Sequence, residues 1–143
     1  MQCIAKLVVD DLAAMTRFYS KAFAMVRMTI VESDHAVEAV MSAGAGQANV
    51  ILYQYRDGRE LTLGTAYGPL VFVTDDVDAA YDRALASGGS SLVPPANVGF
   101  RGPDCSGSLR AAFLSDPEGH PIEIASIDVA AFTTTEQIVT IQP

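Results

Sequence analysis

Few side chains of this sequence are of types that do chemistry, and one of them stands out by its position. Glu123 lies in the segment PIEIA, where apolar residues alternate around it in the pattern of a short, buried strand. A carboxylate in such a strand can accept hydrogen bonds from a ligand, pair with Lys6, or act as a proton-transferring base. A structural role, in which it pairs with a cation or with backbone N–H groups, has equal weight. Glu123 is therefore a candidate catalytic and ligand-binding residue.

Four further residues are candidates for ligand contacts. Lys6 lies in the first apolar strand. The alternation along this strand predicts that its side chain points to the sheet face that lines the cavity, opposite the helix. Tyr53 shares a face with Tyr55 and can stack on a planar ligand, although core packing or a subunit contact is an equal alternative. Phe100 lies in a predicted long loop, and such loops often form lids over binding sites. Arg110 begins a strand and can meet either an acidic ligand or a surface carboxylate.

The remaining metal-ligand types show no ligand-like spacing. His35 is predicted in an exposed hairpin turn, and His120 lies in the turn DPEGH, where a structural role is favoured over catalysis. Cys3 and Cys105 are far apart, which indicates free thiols in a reducing compartment. Sequence spacing alone therefore predicts no metal site.

Composition excludes several classes of function. The net charge is -8 and the nine Lys and Arg residues are scattered, so binding to a nucleic-acid backbone is not expected. Half of the residues are hydrophobic, yet no apolar run approaches the roughly 20 residues of a membrane span. The N-terminus has no basic lead-in of a secretion signal. We expect a cytoplasmic protein whose partner is a small molecule, not a membrane or a nucleic acid.

An internal repeat organises the chain. The segment LVVDDLAAM at Leu7–Met15 recurs 65 residues later as FVTDDVDAA at Phe72–Ala80, each with an aspartate pair that can cap a helix. Each half predicts a strand, a helix and three strands, with a loop-rich connection over residues 94–108. The predicted fold class is α+β, with two βαβββ repeats that pair into a curved, barrel-like mixed sheet around a central cavity.

The domain is expected to cover residues 1–126, with repeat one over about 4–56 and repeat two over about 68–126. Residues 127–143 form a C-terminal extension with strand propensity, which can add to a sheet edge or contact a second subunit.

With these segments in view, the chain resembles the vicinal oxygen chelate superfamily of glyoxalase I, bleomycin-resistance proteins, fosfomycin-resistance enzymes and extradiol dioxygenases. The residues that carry the resemblance are LVVDDLAAMTRFYSKAFAM, its echo FVTDDVDAAYDRALASGG, and AAFLSDPEGHPIEIA, whose Asp-Pro-acid-Gly-x-x-Ile-Glu core matches the family signature. The resemblance covers about residues 4–126. It implies the two-repeat fold and, for small members, a homodimer with cavities at the subunit interface.

In metal-using members of that superfamily, four strand positions supply ligands to a divalent ion. Matched onto this chain, the resemblance puts Ile4, Ile51, Pro69 and Glu123 at those positions. Three of them have no donor side chain, and one carboxylate does not hold a first-row metal by itself. We therefore expect no cofactor, and a divalent metal only if other residues, such as Gln2, His35 or His120, supply the ligands.

The expected function is that of a metal-free small-molecule-binding protein of the glyoxalase and bleomycin-resistance type, which sequesters an antibiotic or another organic ligand. The alternative is a glyoxalase-like lyase, isomerase or dioxygenase, which is either metal-dependent through other ligands or metal-free with Glu123 as the base. A third alternative is a regulatory module with a vestigial cavity.

Overall fold

The computed structural model describes residues 3–44, 46–64, 68–101 and 106–126, and it confirms the α+β class with two βαβββ repeats. The C-terminal extension predicted to be a strand lies outside the described residues. Repeat one contains β1 Ala5–Val8, α1 Leu12–Phe23, β2 Val26–Glu32, β3 Ala36–Ser42 and β4 Val50–Tyr55. Repeat two contains β5 Leu70–Val73, α2 Val77–Ala86, β6 Ser90–Arg101, β7 Ser106–Ser115 and β8 Pro121–Ala125.

The two repeats have the same sheet topology. The strand order is β1-β4-β3-β2 in the first sheet, sheet A, and β5-β8-β7-β6 in the second, sheet B. The first and last strands of each repeat run parallel, with a helix and two strands between them in the chain, and the other neighbours are antiparallel. The sequence echo between the halves thus corresponds to a real structural repeat.

Both helices begin at the predicted aspartates. The side chain of Asp11 accepts a hydrogen bond from Ala14 N at 2.8 Å, and that of Asp76 accepts one from Ala79 N at 3.0 Å. Each cap satisfies a backbone N–H that has no partner within the helix. Among the described residues, no helix is long and apolar enough to cross a membrane.

One apolar core joins the two repeats. The helices cover one face of each sheet and pack on each other, and the rings of Phe23 and Phe72 stack across the repeats with centroids 3.9 Å apart. Ile122 and Ile124 are fully buried in this core, as are Leu52 and Leu114. The repeats therefore form a single body in which the opposite sheet faces remain open.

The predicted loop over residues 94–108 is wrong for residues 94–101 and 106–108, which are strand in the structure. Strand β6 continues to Arg101 and forms a long hairpin with β7, so Phe100 lies in a strand opposite Gly107. Pro94 and Pro95 suggested a loop, but they lie at a register shift between Val93 and Ala96, where a bulge removes the need for their missing N–H groups.

A glycine at the end of α2 provides a test of this packing. A Cβ at Gly89 would meet Leu114 Cδ1 at 2.9 Å and the carbonyl oxygen of Ala84 at 3.0 Å, whereas a Cβ at Gly68 would meet nothing within 4 Å. We expect Gly89→Ala to lower the free energy of unfolding by about 1–3 kcal/mol, because the core must move to admit the methyl group. Gly68→Ala should stay within about 0.5 kcal/mol of the wild type. Urea unfolding of both variants measures the difference, and equal stabilities would contradict the packing described.

Candidate ligand-binding site

The candidate site residues lie mainly on the open faces of the two sheets, opposite the helices. Residues that are directly paired across strands share a face. In sheet A, Lys6 pairs with Ile51, and Tyr53 lies between Val8 and Glu38. The open face of sheet A thus carries Lys6 and Tyr53, as predicted from strand alternation.

Lys6 makes its polar contact within sheet A. Its Nζ donates to Glu38 Oε1 at 3.1 Å and lies 4.8 Å from the centroid of the Tyr53 ring. Glu123 was one predicted partner of Lys6, but in the structure Lys6 pairs with Glu38. Glu38 was missed, although it stands in the apolar strand AVEAV much as Glu123 stands in PIEIA. The pattern that could have identified Glu38 is a charged residue between apolar positions of a strand.

Aromatic and cationic side chains continue along the same face. The rings of Tyr53 and Tyr55 meet edge to face at 4.9 Å, and the Arg59 guanidinium lies 3.8 Å from the centroid of the Tyr55 ring. Arg59 is itself ion-paired with Asp57. This surface offers flat rings, together with a lysine and an arginine, to a planar or anionic ligand.

Glu123 lies on the open face of sheet B, between two apolar neighbours. It pairs with Val71 on one side and with Phe113 on the other, while Ile122 and Ile124 point into the core. Its side chain is half-buried, and no hydrogen-bond or ion-pair partner for its carboxylate is present in the described part of the chain. The structural alternative, in which Glu123 is paired with a cation or with backbone N–H groups, is therefore not found among those residues.

A cleft of about 610 Å³ opens where the two repeats meet. Its walls include Lys6 and Val8 of β1, Arg59 of the connection that follows β4, and Pro121 at the start of β8. Glu123 is not among its lining residues. Within one chain, Lys6 and Glu123 therefore do not line the same cleft.

The turn of the signature segment makes a buried polar network. Asp116 Oδ2 accepts from the Tyr19 hydroxyl at 3.0 Å and lies 2.7 Å from His120 Nδ1. His120 Nε2 lies 2.8 Å from the carbonyl oxygen of Val8. Burial opposes the charged ring, but the hydrogen bond and the charge of Asp116 outweigh it, so the pKa of His120 is raised. Burial and the charge of Asp116 raise the pKa of Tyr19 far above its usual range, so its hydroxyl stays protonated.

Two predicted contact residues lie away from these features. Arg110 makes a bidentate pair with Asp78 of α2, at 2.5 Å from Nε and 2.6 Å from Nη2, and this hydrogen-bonded pair lowers the pKa of Asp78. Arg110 therefore meets a surface carboxylate on the helix side of sheet B. Phe100 is near the far end of the β6–β7 hairpin, roughly 20 Å along the strand from Val93, which lies beside Phe113. The structure does not bring either residue to Glu123.

The fold and these open faces define a two-repeat protein of the glyoxalase class, and comparison with known families agrees. Residues 3–124 match the model of the Glyoxalase/Bleomycin resistance protein/Dioxygenase superfamily. The chain belongs to this superfamily. It is 31% identical over 120 residues to a probable lactoylglutathione lyase of Vibrio parahaemolyticus. The aligned region covers 81% of this chain and 83% of the relative. A protein of the same name from Vibrio cholerae is 30% identical with the same coverage.

Solved structures show the same fold. Glyoxalase I from Zea mays superposes with a TM-score of 0.72 at 24% identity over 86% of this chain, which spans only 43% of the maize chain. The fosfomycin-resistance protein FosX from Mesorhizobium loti superposes with a TM-score of 0.66 at 19% identity, and covers 92% of this chain and 95% of its own. At these identities the likeness concerns the fold alone.

The expectation that no cofactor takes part is wrong. The relatives that overturn it, both about 30% identical to this chain, carry the name of a metal-using enzyme of the superfamily, lactoylglutathione lyase. Yet the residues at the four positions matched to the family's metal ligands do not fit a divalent ion. These residues are Ile4, Ile51, Pro69 and Glu123. Over the described ranges, no three His, Cys, Asp or Glu side chains cluster as metal ligands do. Gln2, a further candidate ligand, lies outside those ranges.

The contact between Lys6 and Glu38 can be measured with a double-mutant cycle. We expect Lys6→Met and Glu38→Gln to show a coupling free energy of about 0.3–1 kcal/mol at low salt, since the pair is partly exposed, and less at high salt. Lys6→Met combined with Glu123→Gln should be additive. Coupling of Lys6 to Glu123 in place of Glu38, measured by chemical unfolding, would contradict the assignment.

Proposed function

We propose that the protein binds a small organic molecule against the open sheet faces and converts it by proton transfer at Glu123, as a glyoxalase-type lyase or isomerase. This differs from the sequestration expected from the sequence, because the relatives that share most of its length are named lyases. A carboxylate of this kind takes a proton from a carbon beside a carbonyl group and returns it to a neighbouring atom.

The observation that carries the proposal is the setting of the Glu123 carboxylate. Apolar residues flank it on both neighbouring strands, and no partner occupies it within the described residues. Placing a carboxylate on a half-buried apolar face without a partner costs stability, so its presence suits a ligand that supplies the missing contact. Val71 and Phe113 would then hold the apolar part of that ligand.

The face that carries Lys6, Glu38 and Tyr53 is the second half of the proposed pocket. Tyr53 offers an aromatic wall, and Lys6 offers a cation whose charge is partly balanced by Glu38. An acyl or enolate oxygen that becomes negative during proton transfer is stabilised by such a cation. Arg110 and Phe100 are not part of this pocket.

A second copy of the chain is proposed to bring the two halves of the pocket together. In one chain the Glu123 face is open, and its apolar side chains are unusually exposed, with Val71 at 50%, Val73 at 51% and Val93 at 46%. Exposed apolar surface of this kind favours association. A symmetric dimer in which the Glu123 face of one protomer meets the Lys6 face of its partner would cover this surface and form two equivalent pockets.

Glu123→Gln tests the proposed proton transfer. The amide keeps the size of the side chain but is not a base, so turnover should fall by about 10²- to 10⁴-fold while the fold is retained. Turnover is measured in a screen of small carbonyl compounds that begins with lactoylglutathione. Glu32→Gln, on the exposed strand β2, removes the same charge elsewhere and should leave turnover unchanged.

The screen is run after treatment with chelator and after loading with Ni²⁺, Zn²⁺, Mn²⁺ or Fe²⁺, with the metal content measured each time. Ligand binding that saturates without turnover in every arm would replace the proposal with sequestration. A stoichiometric bound ion together with an active Glu123→Gln variant would show that other residues do the chemistry.

Subunit complementation tests the shared pocket. Lys6→Met and Glu123→Gln proteins, each impaired alone, are unfolded together and refolded as a 1:1 mixture. If each pocket takes Lys6 from one protomer and Glu123 from the other, the mixture should regain about a quarter of the wild-type sites, because half of the dimers are mixed and each has one intact pocket. Sedimentation analysis establishes the dimer. A dimer that regains no activity on mixing would place both residues in one chain.

A further inference from the structure

The turn over Asp116–His120 belongs to repeat two, but its polar side chains bind repeat one. Asp116 contacts Tyr19 of α1, and His120 contacts the Val8 carbonyl of β1. The Glu118 carboxylate accepts the backbone N–H groups of Asp10 and Asp11, both at 2.7 Å, just before α1 begins. Three side chains of one short turn therefore tie the two repeats together beside the junction cleft.

Both ring nitrogens of His120 face acceptors. A backbone carbonyl such as that of Val8 can only accept, so Nε2 must carry a proton. Asp116 is an acceptor as well. Its Oδ1 accepts hydrogen bonds from the backbone N–H groups of Glu118 and His120, both at 2.9 Å, and its Oδ2 accepts one from the Tyr19 hydroxyl. A neutral imidazole has only one N–H group, and it cannot satisfy both sides.

We propose that this turn is a protonation-dependent clasp between the two repeats, which the doubly protonated ring of His120 holds closed and which loosens when that ring loses a proton. A neutral ring leaves either the Asp116 contact or the Val8 contact without its hydrogen. Asp116 and His120 are buried and the Val8 contact is partly buried, so an unmade hydrogen bond costs more here than it does on the surface.

Within one protomer, the clasp lies between β1, which carries Lys6, and β8, which carries Glu123, and in the proposed dimer these two strands contribute to different pockets. Val8 follows Lys6 by two residues on β1. His120 directly precedes β8 and comes three residues before Glu123. Loosening it would let these strands shift relative to each other. His120 and Asp116 are therefore positioning residues, and this consequence for ligand binding rests on the proposed function, whereas the clasp itself does not.

The charged groups around the ring determine the direction of the pH effect. Asp116 and Glu118 of the turn favour the charged ring, Tyr19 of α1 adds a neutral hydroxyl, and β1 presents the Val8 carbonyl. Burial opposes the charged ring, but the hydrogen bond and the charge of Asp116, the Val8 carbonyl and the charge of Glu118 together outweigh it, so the pKa of His120 is raised from its ordinary value of about 6.5. The stabilisation from the clasp is then complete below about pH 6.5 and is lost as the pH rises through the pKa of the folded state.

Nuclear magnetic resonance of ¹⁵N-labelled wild-type protein reads the protonation state directly. We expect both ring nitrogens of His120 to be protonated at pH 6.5, with a transition at higher pH. His35, exposed in the β2–β3 turn, is the internal comparison in the same spectra. A ring of His120 with a single proton at pH 6 would overturn the proposal without any variant having to fold.

Thermal unfolding between pH 6 and pH 9 tests the energetic role of the clasp. His120→Gln should lower Tm by roughly 4 °C or more at pH 6, and its gap from the wild type should narrow as the pH rises towards 9. His35→Gln, the matched control, should follow the wild type throughout. A gap that stays constant with pH would overturn the protonation-dependent clasp.

Ligand binding is measured on the same samples with the compound that the carbonyl screen identifies. A pH-dependent stability gap accompanied by a parallel loss of affinity at high pH supports the positioning role. The same gap with pH-independent affinity keeps the clasp and overturns its link to the pocket. Failure of the carbonyl screen leaves the NMR and unfolding results valid, so the two proposals fail separately.

Discussion

Each sheet of this protein has two faces and only one helix to cover them. The residues that alternate along a strand must therefore divide between a buried face and an open one. On β8 this puts Ile122 and Ile124 in the core and Glu123 outside it. The same constraint puts Lys6, Glu38 and Tyr53 together on sheet A. The open faces and their exposed valines both follow from this division.

The two repeats are joined by two kinds of contact with different physical character. The helix-side core is apolar, and the stacked Phe23 and Phe72 rings cross it, so its strength depends on the area buried and changes little with pH. The turn that carries Asp116 and His120 is polar and buried, so its strength depends on every donor meeting an acceptor. The apolar core explains why the two repeats form one body. The polar turn is the contact whose strength can change with pH.

The chain has the fold of the superfamily, while the resemblance puts Ile4, Ile51 and Pro69 at three of the four positions that supply ligands in its metal-using members. These residues suit an apolar wall, and Ile51 lies directly beside Lys6 on the open face. The fold is maintained by the core and the helix caps, none of which uses those positions. The site can therefore change its chemistry without loss of the fold, and for that reason membership of the superfamily alone does not identify the reaction.

The sequence by itself determined the repeat, the two helices with their aspartate caps, most strand boundaries and the face on which Glu123 lies. These features depend on local patterns, namely strand alternation, helical spacing and capping residues, which are written in neighbouring positions. The loop predicted over residues 94–108 was wrong where those residues are described, because proline marks both loops and bulges, and only pairing with β7 distinguishes them.

Only the tertiary structure decided which side chains meet. Lys6 binds Glu38 and not Glu123, Arg110 binds Asp78, and His120 reaches Val8 across the repeat boundary. These pairs are far apart in the chain, and they depend on sheet register and on how the repeats pack, which no local pattern encodes.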